Sequence, residues 1–271
     1  MHHLVIDQMQ QKVKIPTQPC RIISLVPSQT ELLFYLGLDK EVVGITKFCI
    51  HPHVMFKSKP RVGGTKKYDF EKIKSLKPDL IIGNKEENDQ AQIELLKKEY
   101  PIWMSDIFTL EDALEMILEI GKMVNKKSAA NKLIKNIKIS FEQCRQVIRQ
   151  LSHRPRAAYL IWKNPTMIAA SQTFINEMLQ IAGFENIFDS KFRYPQVSDK
   201  KLAITKPDVI LLSSEPFPFN EKHVNEIQII CPNAEIRLVD GEIFSWYGNR
   251  LLLAGSYLKN LRLSIDNKDL T

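Results

Sequence analysis

The run Lys77-Pro78-Asp79-Leu80-Ile81-Ile82 returns 129 positions later as Lys206-Pro207-Asp208-Val209-Ile210-Leu211. Its surroundings return with it. Arg156-Ala157-Ala158-Tyr159-Leu160-Ile161-Trp162 stands where Arg21-Ile22-Ile23-Ser24-Leu25-Val26-Pro27 stood, and Ile236–Val239 mirrors Ile102–Met104. A helix over 174–181 stops at Gly183, as one beginning near Ser28 stops at Gly37. A Pro-Asp turn before a buried strand is common when it occurs once. Its return inside matching flanks marks a duplicated unit.

Each half reads as alternating strands and helices. Ile22–Val26, Val42–Ile45, Leu80–Ile82 and Ile102–Met104 are short, nearly continuous apolar runs, as expected of strands covered on both faces. Segments 70–76 and 90–100 read as helices between them, and Ser28 with Glu31 reads as a capping box at the start of the first helix. Such alternation predicts a parallel α/β layer. A helix opens at Thr109, with Asp112 at the capping-box position. From Lys126 to Arg154 no Gly or Pro interrupts, while Leu133, Ile137, Phe141, Cys144, Val147/Ile148 and Leu151 recur at helical spacing. The expected architecture is therefore two Rossmann-like parallel-sheet lobes, 20–124 and 154–271, joined by one long helix over 125–153. The cleft between the lobes is the expected binding site.

Composition narrows the function. The 271 residues are 44% hydrophobic and 25% charged, an ordinary globular balance. No apolar run reaches the roughly 18 residues of a membrane-spanning helix. The net charge of +7 is dispersed, with short clusters only at Lys66-Lys67, Lys97-Lys98 and Lys126-Lys127, so no nucleic-acid surface is expected. Cys20, Cys49, Cys144 and Cys231 lie too far apart for a C-x-x-C site and read as free or buried thiols. There is no G-x-x-x-x-G-K-[ST], G-x-G-x-x-G or G-x-S-x-G motif, and only ten glycines. Ser28 is read as a cap rather than a nucleophile. His51-Pro52-His53 could supply two metal ligands, but no third stands at a typical spacing, so the pair reads as a solvated loop. The first residues carry no secretory pattern, which leaves a cytoplasmic chain or a leader outside this sequence as alternatives.

Residues that follow strands in such folds face the ligand crevice. Phe48 occupies such a place in the first half, and Trp162 and Tyr194 in the second. Phe244, Trp246, Tyr247 and Arg250 follow the last strand together, although Phe244 and Trp246 could instead close the sheet edge as core. Aromatic walls suit a large, flat ligand, and Arg250 could meet a carboxylate or a polarised oxygen. Glu86-Glu87 and Glu215 follow equivalent strands in the two halves. They read either as charges at helix N-termini or as outward carboxylates for a basic partner.

Taken together, Arg21–Gly37, Gly63-Gly64 with 70–82, Pro195-Gln196-Val197-Ser198 and Asp240–Arg250 resemble the substrate-binding proteins of ABC importers for cobalamin, haem and ferric siderophores. The resemblance extends from about residue 20 to residue 262. It implies a non-enzymatic, monomeric protein with no intrinsic cofactor, which takes a metal chelate into its cleft and acts in the periplasm or cell envelope. It also implies one glutamate per lobe, here Glu87 and Glu215, docking on the importer permease. Positions lining the cleft in cobalamin-binding members correspond to Phe48, Tyr194, Phe244 and Trp246; where those members carry a first-lobe tryptophan, this chain has Thr65-Lys66. Two alternatives share the two-lobe plan. One is a cytoplasmic chelatase-like tetrapyrrole or metal enzyme using His51 or His53; the other is a cytoplasmic cofactor carrier.

Overall fold

A computed structural model describes residues 1–266. The chain begins with an antiparallel hairpin, β1 (His2–Ile6) and β2 (Lys12–Pro16), in which Val13 and Ile15 turn inward. The alternation Lys-Val-Lys-Ile carries this pattern, which the sequence reading passed over. The first α/β layer follows as β3 (Ile22–Ser24), α1 (Pro27–Tyr35), β4 (Val42–Ile45), α2 (His53–Ser58), α3 (Phe70–Leu76), β5 (Leu80–Asn84), α4 (Gln90–Leu96) and β6 (Ile102–Ser105). Its four strands are parallel in the order β4-β3-β5-β6. Every residue of β3, β5 and β6 is buried, as a sheet covered on both faces requires.

Two helices come next, α5 (Leu110–Met123) and α6 (Lys127–Ile148). The second layer is built from β7 (Arg156–Trp162), β8 (Met167–Ile168), α7 (Phe174–Ile181), β9 (Glu185–Asn186), α8 (Asp199–Ile204), β10 (Val209–Ser213), α9 (Glu221–Ile230), β11 (Glu235–Val239), α10 (Gly241–Ser245) and α11 (Leu251–Asp266). Its parallel strands run β11-β10-β7-β9, the order of the first sheet over again, with β8 added antiparallel to β7.

The repeated residues have one job in both sheets. The Asp79 carboxylate accepts the Arg21 N–H at 2.9 Å, and the Asp208 carboxylate accepts the Arg156 N–H at 2.7 Å. Each aspartate N–H returns a bond to the same arginine's carbonyl, at 2.9 Å in both cases. Lys77 and Lys206 take left-handed φ values of 45° and 47°, which ends the preceding helical turn before proline. The arginine side chains close the device: Arg21 Nε donates to Leu76 O at 2.9 Å, and Arg156 Nη1 to Lys206 O at 2.8 Å. The motif therefore welds the first bond of the central strand pair in each sheet.

Helix ends repeat as well. After α1, Gly37 at φ +79° lets the Leu38 N–H reach Leu33 O, and after α7, Gly183 at φ +78° lets the Phe184 N–H reach Leu179 O. The start of α1 departs from expectation. Its N-cap is Val26, with no side-chain cap, and Pro27 holds the first helical position; Ser28 lies inside the helix with its hydroxyl buried and without a hydrogen-bond partner. Proline needs no N–H there, so no capping box forms.

The chain divides into two compact units, one of 1–107, 111–135 and 247–249, the other of 108–110, 136–246 and 250 onwards. One of the boundaries falls inside α6, so that helix runs from one unit into the other. That helix spans 22 residues, about 33 Å at 1.5 Å per residue. Leu133, Ile137, Phe141 and Cys144 form its buried face. It is unbroken but stops at Ile148, earlier than expected. The Gln150 and Leu151 N–H groups bond three residues back, winding the end out ahead of Pro155. Among the described residues, no helix is long and apolar enough to cross a membrane.

Candidate functional site

Parallel strands end together, and the residues just beyond those ends are where such sheets present chemistry. In the first unit each strand run gives way to a polar residue: Ser24, Thr46, Asn84 and Ser105, all buried. They form two hydrogen-bonded clusters with α1 and the loops. Thr30 Oγ1 lies 2.8 Å from Ser24 Oγ and 3.1 Å from Cys49 Sγ, and Thr46 Oγ1 is also 3.1 Å from that sulfur. Gln29 Nε2 donates to Ser105 Oγ at 2.7 Å, as does Asn84 Nδ2 at 3.0 Å. Burial pushes the Cys49 thiol up to about 11, so it sits there as a neutral hydrogen-bonding group. All four cysteines are free, and only Cys20 is exposed.

These clusters hold the loops that carry the expected site residues. Asn84 Oδ1 accepts the N–H groups of Glu86 and Glu87 at 2.9 and 3.1 Å, fixing the turn that presents them half-buried. Asn88 Nδ2 reaches Leu25 O and Thr65 O, and Lys66 Nζ donates to Glu86 O at 2.8 Å. Phe48, 50% exposed, stands beyond β4 with Lys47 Nζ 5.0 Å from its ring centre. His51 precedes a short helix that His53 opens, so the expected loop is partly helical, with Pro52 as its N-cap. The polar clusters were missed from the sequence, although a polar residue closing each apolar run was there as their signal.

In the second unit, Trp162 ends β7 at 39% exposure and meets Phe217 edge-on, 5.6 Å between ring centres. Phe219 and His223 extend the cluster, at 4.7 and 5.2 Å from Phe217. Tyr194 is half-buried beside the Arg193 guanidinium.

The segment after β11 folds inward more than expected. Asp240 caps α10 by accepting the Glu242 N–H at 3.0 Å. Gly241 lies so close to the β10 loop that a Cβ would sit 2.4 Å from Ser213 Oγ, which explains the glycine. Phe244 has no exposed surface; it packs 4.9 Å from Tyr159 and 6.3 Å from Tyr257. It is core, because a short helix rather than a loop follows Asp240 and turns the ring under the sheet. Trp246 and Tyr247 are each 5% exposed. The Trp246 indole N–H and the Ser245 hydroxyl both donate to Glu215 Oε1 at 2.8 Å. Glu215 is half-buried, as Glu86 and Glu87 are, and two donors from α10 and its C-cap hold its Oε1. Burial raises its pKa above the ordinary carboxylate value, with the Glu242 charge adding to the rise and the two donors opposing it. Arg250 is clamped, its guanidinium 4.6 Å from the Trp246 ring centre and 2.6 Å from Glu242 Oε2. These groups offer aromatic surface and a held cation, the means to bind and orient a ligand.

A profile of the periplasmic binding protein family matches residues 22–228, about three quarters of the chain. This chain belongs to that family. The matched stretch takes in both Lys-Pro-Asp runs and the whole of α6. Over 253 residues the chain is 26% identical to a vitamin B12-binding protein of Vibrio vulnificus strain CMCP6, covering 92% of each. Among solved structures, a periplasmic haem-binding protein of Roseiflexus sp. RS-1 superposes with a TM-score of 0.78 at 20% identity, over 93% of this chain and 99% of the other. A petrobactin-binding protein of Bacillus subtilis does so with a TM-score of 0.81 at 19% identity, over 97% and 99%. The structural likenesses establish the two-lobed α/β fold joined by a long helix. As a periplasmic binding protein the chain is a solute-binding protein, and neither the chelatase-like enzyme nor the cytoplasmic carrier finds support.

Proposed function

We propose that this binding protein captures a bulky metal chelate, of the cobalamin, haem or ferric-siderophore kind, and delivers it to an ABC importer at the cell envelope without transforming it. The family match carries the reading. The named ligands of three relatives, vitamin B12, haem and petrobactin, share large size and a metal or metal-binding framework. Exposed aromatic surface at the strand ends of both units supports it: Phe48 in one and Trp162 in the other, with Phe217 and Tyr194 half-buried. In this reading Phe48, Trp162, Tyr194 and Arg250 touch the ligand. Phe244, Trp246 and Tyr247 support that surface from beneath. Domain limits near 20–124, 125–153 and 154–271, action as a monomer and docking on a permease through Glu87 and Glu215 belong to the same proposal.

Titration with cyanocobalamin, haemin and a ferric siderophore, followed by tryptophan fluorescence, tests the reading. One of the three is expected to quench saturably, with Trp162→Ala weakening that ligand at least tenfold. No saturable response to any of them removes the chelate reading. Conversion of a metal-free tetrapyrrole during incubation with a divalent metal replaces it with an enzyme.

A further inference from the structure

Where α6 ends, the second unit contains a cavity of about 470 Å³. Arg145 and Arg149 line it from one face of the last helical turns, His153 and Arg154 from the loop beyond, and Glu177 and Gly183 from the α7 side. The loop is held rather than loose. Its His153 carbonyl accepts from the buried Arg262 at 2.6 Å, and Arg154 Nη2 donates to Phe184 O at 3.5 Å. Arg262 itself is neutralised by Asp266.

Several basic side chains elsewhere have a carboxylate at close range, as Lys85 has Asp106 at 2.6 Å and Lys97 has Glu94 at 2.7 Å. Here the partners thin out. Arg149 has Glu142 only at 3.9 Å, His153 has Asp208 only at 3.9 Å, and no ion pair engages Arg145 or Arg154 among the described residues. Two helix C-termini meet at the site, and each favours a cation with about half a unit of negative charge. Among the lining residues themselves, three guanidinium groups and His153 face one carboxylate, Glu177, while Glu142 and Asp208 approach Arg149 and His153 only at 3.9 Å.

We propose that this cavity is an anion site for a phosphate group carried on a larger molecule. Three planar guanidinium forks from separate backbone positions match a tetrahedral oxyanion with several acceptor oxygens better than a single carboxylate. The volume exceeds that of one phosphate ion, so the group is expected to arrive attached to something. The site belongs wholly to the second unit and does not depend on the chelate reading.

The whole chain is titrated with inorganic pyrophosphate at fixed ionic strength, with heat of binding and Tm as readouts. Saturable binding that raises Tm is expected, at least tenfold weaker in Arg145→Gln/Arg149→Gln and in Arg154→Gln. An equal effect of sodium chloride at matched ionic strength, or undiminished pyrophosphate binding in the variants, overturns the proposal. Flotation with phosphatidylglycerol vesicles but not phosphatidylcholine vesicles, lost in the variants, assigns the phosphate to a lipid headgroup. Pyrophosphate binding without flotation assigns it to a soluble phosphate compound. Chelate quenching is expected to be unchanged in the variants; its loss would place these arginines in the chelate site and refute an independent one.

Discussion

Glu215 shows how one side chain changes meaning once its neighbours are known. Its place after a strand suggested an outward carboxylate, yet Ser245 and Trp246 both donate to it. Glu215→Ala removes that acceptor and leaves the indole N–H buried without one. We expect a loss of about 1–3 kcal/mol in urea unfolding, with altered Trp emission in the folded state. Glu215→Gln keeps an acceptor and removes the charge. Because burial raises the folded pKa above the ordinary 4.5, wild type should lose stability relative to the Gln variant as pH rises from below 4.5 through the raised value. Unfolding of both proteins at pH 4 and pH 7 checks this, and a wild type that gains stability relative to the Gln variant between pH 4 and pH 7 would contradict it. Phe244, Trp246 and Arg250 were legible as a cluster but not by role. Their spacing showed three aromatics and a cation near one another, whereas burial decided that Phe244 is core and that Arg250 is clamped.

Among the elements, long buried strands and glycine-stopped helices were readable because their signals are local. The limits of β4, α3, β7 and α7 follow from apolar runs and from capping or stop residues next to them. The two-residue strands β8 and β9, and the short helices α2, α8 and α10, carry too few residues for any period to emerge. The two stop glycines make a controlled comparison. Gly37→Ala meets only Lys126 Nζ at 4.0 Å and bears only the strain of positive φ, about 1–2 kcal/mol. Gly183→Ala bears the same strain and also drives its methyl to 2.5 Å from Ile148 Cγ2. Thermal unfolding should rank Gly183→Ala clearly below Gly37→Ala, and equal Tm values would show that Ile148 moves aside without cost.

Across the whole molecule, α6 is the helix that the division into two units cuts through near its middle. Lys135, the last residue on the first side, is therefore the position at which to break it. Lys135→Pro removes an intrahelical bond and should cost about 3 kcal/mol or more, read from the chemical-denaturation midpoint and loss of helical circular dichroism. An unchanged midpoint would mean that α6 carries little of the stability. By itself the sequence determined the duplicated α/β plan, marked by the paired Lys-Pro-Asp runs, and the unbroken helix between the halves. Those features rest on near-neighbour chemistry: a carboxylate meeting the strand beside it, a proline ending a turn, apolar residues recurring at 3.6. Only the tertiary structure decided which aromatics stay exposed, that Glu215 accepts from Ser245 and Trp246, and that cations far apart in sequence line one cavity. Burial and charge compensation belong to residues brought together from separate segments, and no local pattern encodes that meeting.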